Sequence, residues 1–326
     1  SLVGSEMCIR DSSRTLRNLF KTKPPSKPLL DNHTLKVFHL WSNFMDGMHD
    51  MDNGKNNAMK TKLICSDVDS TLVDDYKKLS PKNREAIRKA VLEEGMHFAI
   101  ISGRIAPSVR RYMDEIGITG VVPSLGGCLI EDWDGTIIEE NVVDGRLATK
   151  INDLIKAMGC LCFAYHHNDW YIDPGHPDWV KSEADATDTI GVIEDLTGLF
   201  GRINPNKLLG VHSDTDKVKR LSDAILERYS NEVDCFLSSP MYLEIVPKGV
   251  NKGTAVDALC RHYGIERSNV LAIGDYYNDI DMLKIVGVPV TVRNAPDDIK
   301  AVARYVTEND CNNSAVAEAL ERFVVR

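Results

Sequence analysis

The run Leu63–Ser66 ("LICS") is continuous and largely apolar, as expected of a strand buried on both faces of a parallel sheet. A loop follows, and then "SPKNREAIRKAVLEEG" reads as a helix. Ser80 is its N-cap, Pro81 its first position, and Ala86, Ile87, Ala90 and Val91 its apolar stripe, with Gly95 as the stop. "HFAII" predicts a second buried strand that ends at Ser102, Gly103 and Arg104. Strand, helix and strand within about 40 residues make a βαβ unit. The same grammar returns late in the chain. "NKGTAVDALCRHYGI" predicts a helix opened by Asn251 and closed at Gly264, "NVLAIGD" a strand, "DIDMLKIVG" a helix, "PVTV" a strand, and "DDIKAVARYV" a helix running into a last short strand.

The stretch between these halves has a different texture. "LATKINDLIKAMG" and "DKVKRLSDAILERYS", with apolar positions at Val218, Leu221 and Ile225, predict helices; "LCFAY", "DWYID", "KLLGV" and "CFLSS" predict strands. The fold class that follows is α/β: a doubly wound, mostly parallel Rossmann-like core sheet from residues 59–142 and 242–326, with an α+β domain from residues 143–241 inserted into it. Residues 1–58 show no sustained period and contain "KTKPPSKP", which is linker chemistry. They are expected to lie outside the fold, as a disordered leader or a non-native extension. "SLVGSEMCIRDS" resembles a translated adaptor sequence, Met59 reads as a natural start, and a transit peptide is the alternative.

Composition narrows the function classes. A net charge of -9 over 326 residues argues against a general nucleic-acid binder, which needs a basic surface. No apolar run approaches the ~20 residues that cross a bilayer, so no membrane partner is expected. Eight cysteines are scattered without CxxC pairs, and Cys160 and Cys162 fall on one face of a strand. They read as small buried hydrophobes and suit a reducing cytoplasm.

Candidate chemistry gathers where the predicted strands end, the edge at which open α/β sheets bind ligands. Asp67 and Asp69 sit two positions apart in "SDVDST", and such a pair repels unless a cation or a chemical task compensates. Ser102 and Gly103 follow the second strand, Lys252 opens a late helix, and Asp275, Asn278 and Asp279 follow "LAIG". The two acidic segments, Asp67 with Asp69 and Asp275 with Asp279, can hold a hard divalent cation through oxygen. With a phosphate also bound there, Asp67 can attack phosphorus while Asp69 moves the proton. Ser102 can hydrogen-bond a phosphoryl oxygen, and Lys252 can neutralise the transferring group. Thr71, Gly103 and Asn278 join Ser102 and Lys252 as candidate phosphate contacts. The plain alternatives are that Asp69 and Asp279 cap helices and that Lys252 is a solvated surface lysine.

These four segments resemble the four motifs of the haloacid dehalogenase superfamily. "SSPMYLEIVPKGVNKGTAV", "AIGDYYNDIDML" and "VRNAPDDIKAVARYVT" resemble its Cof-like branch, whose members carry a large α/β cap between the second and third motifs. The resemblance spans residues 59–326 and implies a magnesium-dependent phosphatase acting on small phosphorylated metabolites through an aspartyl-phosphate. It implies Asp67 as nucleophile, Asp69 as general acid/base and metal ligand through its main-chain carbonyl, Ser102 and Lys252 as phosphate binders, and Asp275 as metal ligand supported by Asn278 and Asp279. A phosphomutase and a catalytically silent phospholigand-binding regulator are the alternatives. Two departures from the pattern stand out. Ser70 replaces the usual glycine after the second aspartate, harmless if that residue is not left-handed. Gly126 replaces an expected asparagine, which puts substrate contacts at that end of the pocket in doubt. In the inserted domain, "AYHHNDWYIDPGHPDW" suggests a lid, with His166, His167 or Trp170 as substrate contacts; His176 belongs to the same block, and the spacing does not match a helical metal site. Lys207 is a lesser candidate, and Arg104 is either a substrate contact or a structural salt-bridge partner.

Overall fold

The computed structural model describes residues 61–325. Expectations for residues 1–58 lie outside the described residues. Strand β1 (Leu63–Ser66) is buried along its whole length, and helix α1 (Pro81–Leu92) begins as anticipated, with the Ser80 side chain accepting from the Asn83 N–H. Strand β2 (His97–Ile100) pairs parallel to β1, and α2 (Ala106–Ile116) ends at a left-handed Gly117. A small antiparallel sheet that the apolar pattern does not reveal comes next, formed by β3 (Val122–Ser124), β4 (Leu129–Glu131) and β5 (Ile137–Glu140).

The inserted part opens with α3 (Gly145–Ala157), capped by Asp144. It then runs through β6 (Leu161–His166), β7 (Asp169–Ile172), α4 (Pro177–Thr187), β8 (Val192–Ile193) and α5 (Leu196–Phe200). It closes with β9 (Lys207–Val211), α6 (Thr215–Tyr229), β10 (Val233–Ser239) and β11 (Tyr242–Pro247). These strands form a second sheet in the order β10-β11-β9-β6-β7-β8, antiparallel except between β7 and β8. The expected break at residues 241 and 242 is corrected here: β11 pairs with β10 on one side and β9 on the other, so residues 242–247 belong to this sheet.

The chain then returns to the parallel sheet through α7 (Lys252–Tyr263), β12 (Val270–Gly274), α8 (Ile280–Ile285), β13 (Val288–Thr291), α9 (Asp297–Lys300) and β14 (Tyr305–Val306). Helix α10 (Ala315–Phe323), unforeseen in the sequence, follows. The strand order is β14-β13-β12-β1-β2, all parallel. The helix expected over "DDIKAVARYV" is only Asp297–Lys300, because Tyr305 and Val306 are drawn out to pair with Val290 and Thr291. Among the described residues no helix is long and apolar enough to cross a membrane.

Three buried apolar clusters follow from strand periodicity, one around the parallel sheet and one on each face of the second sheet. Ile64, Ala99, Val256, Leu271, Val290 and Leu320 belong to the cluster around the parallel sheet. In the second sheet Cys162, Ala164, Leu208, Leu243 and Ile245 pack with apolar residues of α3, α5 and α6, while Phe163, Leu209, Val211 and Val246 face the other way, toward Ile105 and Leu125. That second face is the one turned to the parallel sheet's ligand-binding edge. Asn83, fully buried, ties the chain ends of the parallel sheet together: its amide donates to the Leu72 carbonyl (2.9 Å) and its oxygen accepts from the Ala317 N–H (2.9 Å). Asn83→Ala strands both backbone groups, so it is expected to lower unfolding free energy by about 2–3 kcal/mol in chemical denaturation. A change within experimental error would mean that α10 is not held through this residue.

Candidate active site

Strand β1 lies between β2 and β12, so the loops after these three strands must converge at one edge. The Asp67 N–H donates to the Ile273 carbonyl (2.9 Å), which carries the pairing one residue past β1 and fixes where that side chain starts. The Thr291 hydroxyl donates to the Gly274 carbonyl (2.7 Å) and pins the end of β12. Asp67, Ser102 and Asp275 meet at this edge by topology.

Lys252, from the first turn of α7, is 2% exposed and enters the same point. Its Nζ donates to Asp67 Oδ1 and to Asp279 Oδ1, each at 2.6 Å. The other Asp279 oxygen accepts from the backbone N–H groups of Asp275 (2.9 Å) and Tyr276 (3.0 Å). Asp279 therefore does not cap α8; it braces the turn after β12 and holds the lysine. A side chain at Gly274 would meet it, since a Cβ there falls 2.5 Å from the Asp279 carboxyl carbon. Thr71 is also fully buried, and its hydroxyl donates to Asp275 Oδ1 at 2.6 Å. That corrects its expected place among the phosphate contacts: it orients Asp275 and does not line the cavity.

One carboxylate oxygen from each of Asp67, Asp275 and Asp279 lies within 4.8 Å of the other two. Three buried carboxylates face one ammonium, and the electrostatics show the imbalance. Burial pushes Asp67 up to about 7 in spite of Lys252, with Asp279 and Asp69 adding to the rise. Burial and the charges of Asp67 and Asp279 likewise push Asp275 well above the ordinary carboxylate range. Burial alone would discharge Lys252, but Asp279 and Asp67 raise it above its ordinary value. A donor set made only of carboxylate oxygen suits a hard divalent cation. Among the described residues, Asp67 and Asp275 each commit one oxygen to a hydrogen bond, whereas Asp279 commits both.

Asp69 lies apart from that cluster. Arg104 grips its carboxylate with two hydrogen bonds (2.9 and 2.8 Å), and Lys77 adds a third at 2.6 Å. Although desolvation pushes the Asp69 carboxyl up, these cations hold it well below the usual carboxylate range. Arg104 is thus an ion-pair partner inside the site; Asp69, in this conformation, has no proton to give. The Asp69 side chain is thus directed away from the Asp67 cluster, which leaves its main-chain carbonyl as the group expected to face a cation. Ser70 is left-handed (φ 57°), so the condition under which its replacement of glycine is harmless is not met, and it carries roughly 1 kcal/mol of strain. Its carbonyl accepts from the Asn294 side chain at 2.9 Å.

A cavity of ≈ 550 Å³ opens over this edge, lined from below by Asp67, Asp69, Ser102, Gly103, Asp275 and Asn278. Asn278 Oδ1 is buried there with no protein partner. The inserted part roofs it with Tyr165, Glu183, Lys207, Tyr242 and Glu244. Of the cap residues singled out from the sequence, Lys207 lines the cavity, whereas His166, His167 and Trp170 do not. His166 shares a strand face with Cys162 and Ala164, opposite to Tyr165. His167 sits at the β6–β7 turn with φ 52° and bonds Glu140 at 2.8 Å. Glu140, His166 and His167 form a second cluster, but the imidazoles stack at 4.1 Å, so their lone pairs run side by side and do not converge. Trp170 is fully buried, its indole N–H donating to Thr189 (2.9 Å). Glu183, Glu244, Tyr165 and Tyr242 were missed. Period two in "YLEIV" and "NKLLGV" puts Glu244 and Lys207 each on a defined strand face, but nothing local says which face meets the cavity. Gly126, left-handed at φ 71°, leaves room where asparagine was expected, and Glu244 Oε2 lies 3.6 Å from the Cβ position it lacks.

A family model described as haloacid dehalogenase-like hydrolase matches residues 64–320. The 5-amino-6-(5-phospho-D-ribitylamino)uracil phosphatase YcsE of Bacillus subtilis is 28% identical, the match covering 81% of this chain and 96% of that protein. A phosphoglycolate phosphatase of Methanobrevibacter smithii is 26% identical, with 82% and 100% covered. A haloacid dehalogenase-like hydrolase of Bacteroides thetaiotaomicron, solved by crystallography, superposes with a TM-score of 0.72 at 28% identity, covering 81% of this chain and 99% of that one. The fold expected from the sequence, a Rossmann-like core with an inserted α+β cap, is the fold observed.

The raised Asp67 carboxyl has a consequence for stability. Its folded value, about 7, exceeds its ordinary 3.8, so the folded state holds the proton more tightly and favours low pH. In divalent-free buffer this group is expected to remove stability as pH rises from about 4 to about 7, and Asp67→Asn to flatten that slope. Unfolding curves at a series of pH values measure it; equal slopes in the two proteins would refute the charge imbalance.

Proposed function

We propose that this chain, which belongs to the haloacid dehalogenase-like hydrolase family, is a phosphatase that hydrolyses the phosphate ester of a small metabolite through a phosphorylated Asp67. The observation that carries the reading is the pairing of Asp67 with Lys252 at 2.6 Å, beside Asp275 and Asp279, on the floor of a cavity large enough for a small metabolite. The curated relatives are named as phosphatases, which supports the reaction class. Their names span a ribitylamino chain and a glycolate, so membership of the family leaves the leaving group open.

Asp67 and Asp275 are the carboxylates placed to hold a magnesium ion, with Thr71 fixing the orientation of Asp275. When bound, the ion would supply positive charge against the phosphoryl oxygens. Lys252 keeps one Asp67 oxygen directed while the other forms the new bond to phosphorus, and the ester P–O bond breaks. Ser102, the Gly103 backbone and Asn278, whose oxygen has no protein partner, lie around the position the phosphoryl group would take. The departing alkoxide takes a proton from Asp69. A water then attacks phosphorus, giving its proton to Asp69 and regenerating Asp67 as phosphate leaves. Arg104 and Lys77 hold Asp69 ionised, so Asp69 has to leave their grip and take up a proton before it can give one to the alkoxide.

Purified protein is expected to release phosphate from para-nitrophenyl phosphate with magnesium present, and Asp67→Asn to lower kcat by about a thousandfold or more without loss of folding. Retention of full activity in that variant would overturn the nucleophile assignment. Thr71→Val is expected to raise the magnesium concentration needed for half-maximal activity by about 10- to 100-fold, read from a metal titration. An unchanged titration would remove Thr71 from the support of the site.

A further inference from the structure

Among the described residues, each cation that lines the cavity is already engaged. Lys77 and Arg104 both hold Asp69. Lys207 is 3% exposed; its Nζ donates to the Gly103 carbonyl (2.6 Å), stands 3.8 Å from the Glu244 carboxylate and lies 4.4 Å over the Tyr165 ring. The roof instead presents two acidic side chains, Glu183 and Glu244, both 7% exposed. The Tyr165 hydroxyl donates to Glu183 at 2.8 Å. Glu244 is wedged over the floor: a Cβ at Gly103 would fall 2.5 Å from its Oε1.

We infer that this roof selects the leaving group by charge, accepting an uncharged hydroxylated or amine-bearing chain and rejecting one with a second anion, with Glu183 and Glu244 as the specificity-determining residues. The inference rests on the phosphatase reading. Hydroxyl and amine groups donate to carboxylates, and a buried carboxylate rewards such a donor strongly. A second anion on the substrate meets like charge inside a site of low polarity and finds no uncommitted cation to offset it. Burial pushes Glu183 up while Tyr165 and Lys207 act against the rise, and in either protonation state Glu183 contributes no positive charge. Lys207 acts through Glu244: by pairing with that carboxylate and with the Gly103 carbonyl it seats the roof on the loop that carries Ser102.

A matched pair of esters tests this. 2-Hydroxyethyl phosphate and 2-phosphoglycolate differ only in carrying a hydroxymethyl or a carboxylate beside the phosphorylated carbon. With the full chain and saturating magnesium, kcat/KM for the hydroxyethyl ester is expected to exceed that for phosphoglycolate by about tenfold or more. In Glu183→Gln and Glu244→Gln the ratio is expected to contract by about threefold or more, a change that general loosening of the fold would not direct toward the anionic ester. Equal or better turnover of phosphoglycolate by the wild-type chain, or an unchanged ratio in the variants, would overturn the inference. If Glu244→Gln does not fold, Glu183→Gln alone decides. Failure of the phosphatase reading looks different: neither these esters nor para-nitrophenyl phosphate would release phosphate. In that event the two esters' Kd values, measured by calorimetry on the wild-type chain, decide the matter: tighter binding of the hydroxyethyl ester supports charge selection by the roof, and equal or weaker binding overturns it.

Discussion

The end of strand β1 carries a charge that the fold cannot leave alone. Asp67 has to be buried there, because its backbone N–H extends the pairing with β12, and Asp275 and Asp279 arrive at the same point from the next strand over. Lys252 offsets part of this negative charge and is fully enclosed in return. Much of the surrounding sequence serves that arrangement. Asn251 and Thr254 cap each other at the start of α7 and so place Lys252, Gly274 leaves room for the Asp279 carboxyl, and Thr71 holds Asp275. A lone charge of this kind in a buried site would be strongly destabilising, and three carboxylates with one lysine still leave the balance negative. The same imbalance is what a bound divalent cation would relieve.

The second sheet contributes through alternation. Along β6, β9 and β11 every other side chain turns toward helices α3, α5 and α6 and makes an apolar core, while the intervening ones turn toward the parallel sheet. Near Ile105 and Leu125 that opposite face is apolar and joins the two parts; over the catalytic edge it becomes Tyr165, Lys207 and Glu244. One strand face thus changes from packing to recognition within a few residues. Gly103 is the floor position where a side chain would intrude on Glu244, so the two parts fit together in detail as well as in outline.

Asp69 and Arg104 show how an ion pair can set the state of a site. The guanidinium is buried, the carboxylate is partly exposed, and two hydrogen bonds orient them. The sequence left Arg104 open between substrate contact and salt bridge, and the structure resolves it toward Asp69. The pairing keeps Asp69 ionised and turned from the cluster around Asp67, although only one residue separates them in the chain.

Motifs whose function depends on local backbone geometry were legible in the chain. The apolar run of β1, the caps at Ser80 and Asn251, and polar residues placed just past strand ends are all dictated by hydrogen bonding and periodicity within a few residues. From these the α/β class and the convergence of Asp67, Ser102, Lys252 and Asp275 could be read, because parallel strands bring their carboxyl ends to one edge. What tertiary structure decided was the destination of each side chain. Thr71 faces Asp275, Trp170 closes against Thr189, and His166 lies on the helix side of its sheet, since the face of a strand that meets a cavity depends on what packs against it from elsewhere. The membership of β11 in the second sheet was decided the same way, by pairing with β9 and β10, which come from earlier in the chain. Residue type and spacing determined which chemistry was present; long-range pairing determined which residues share the cavity.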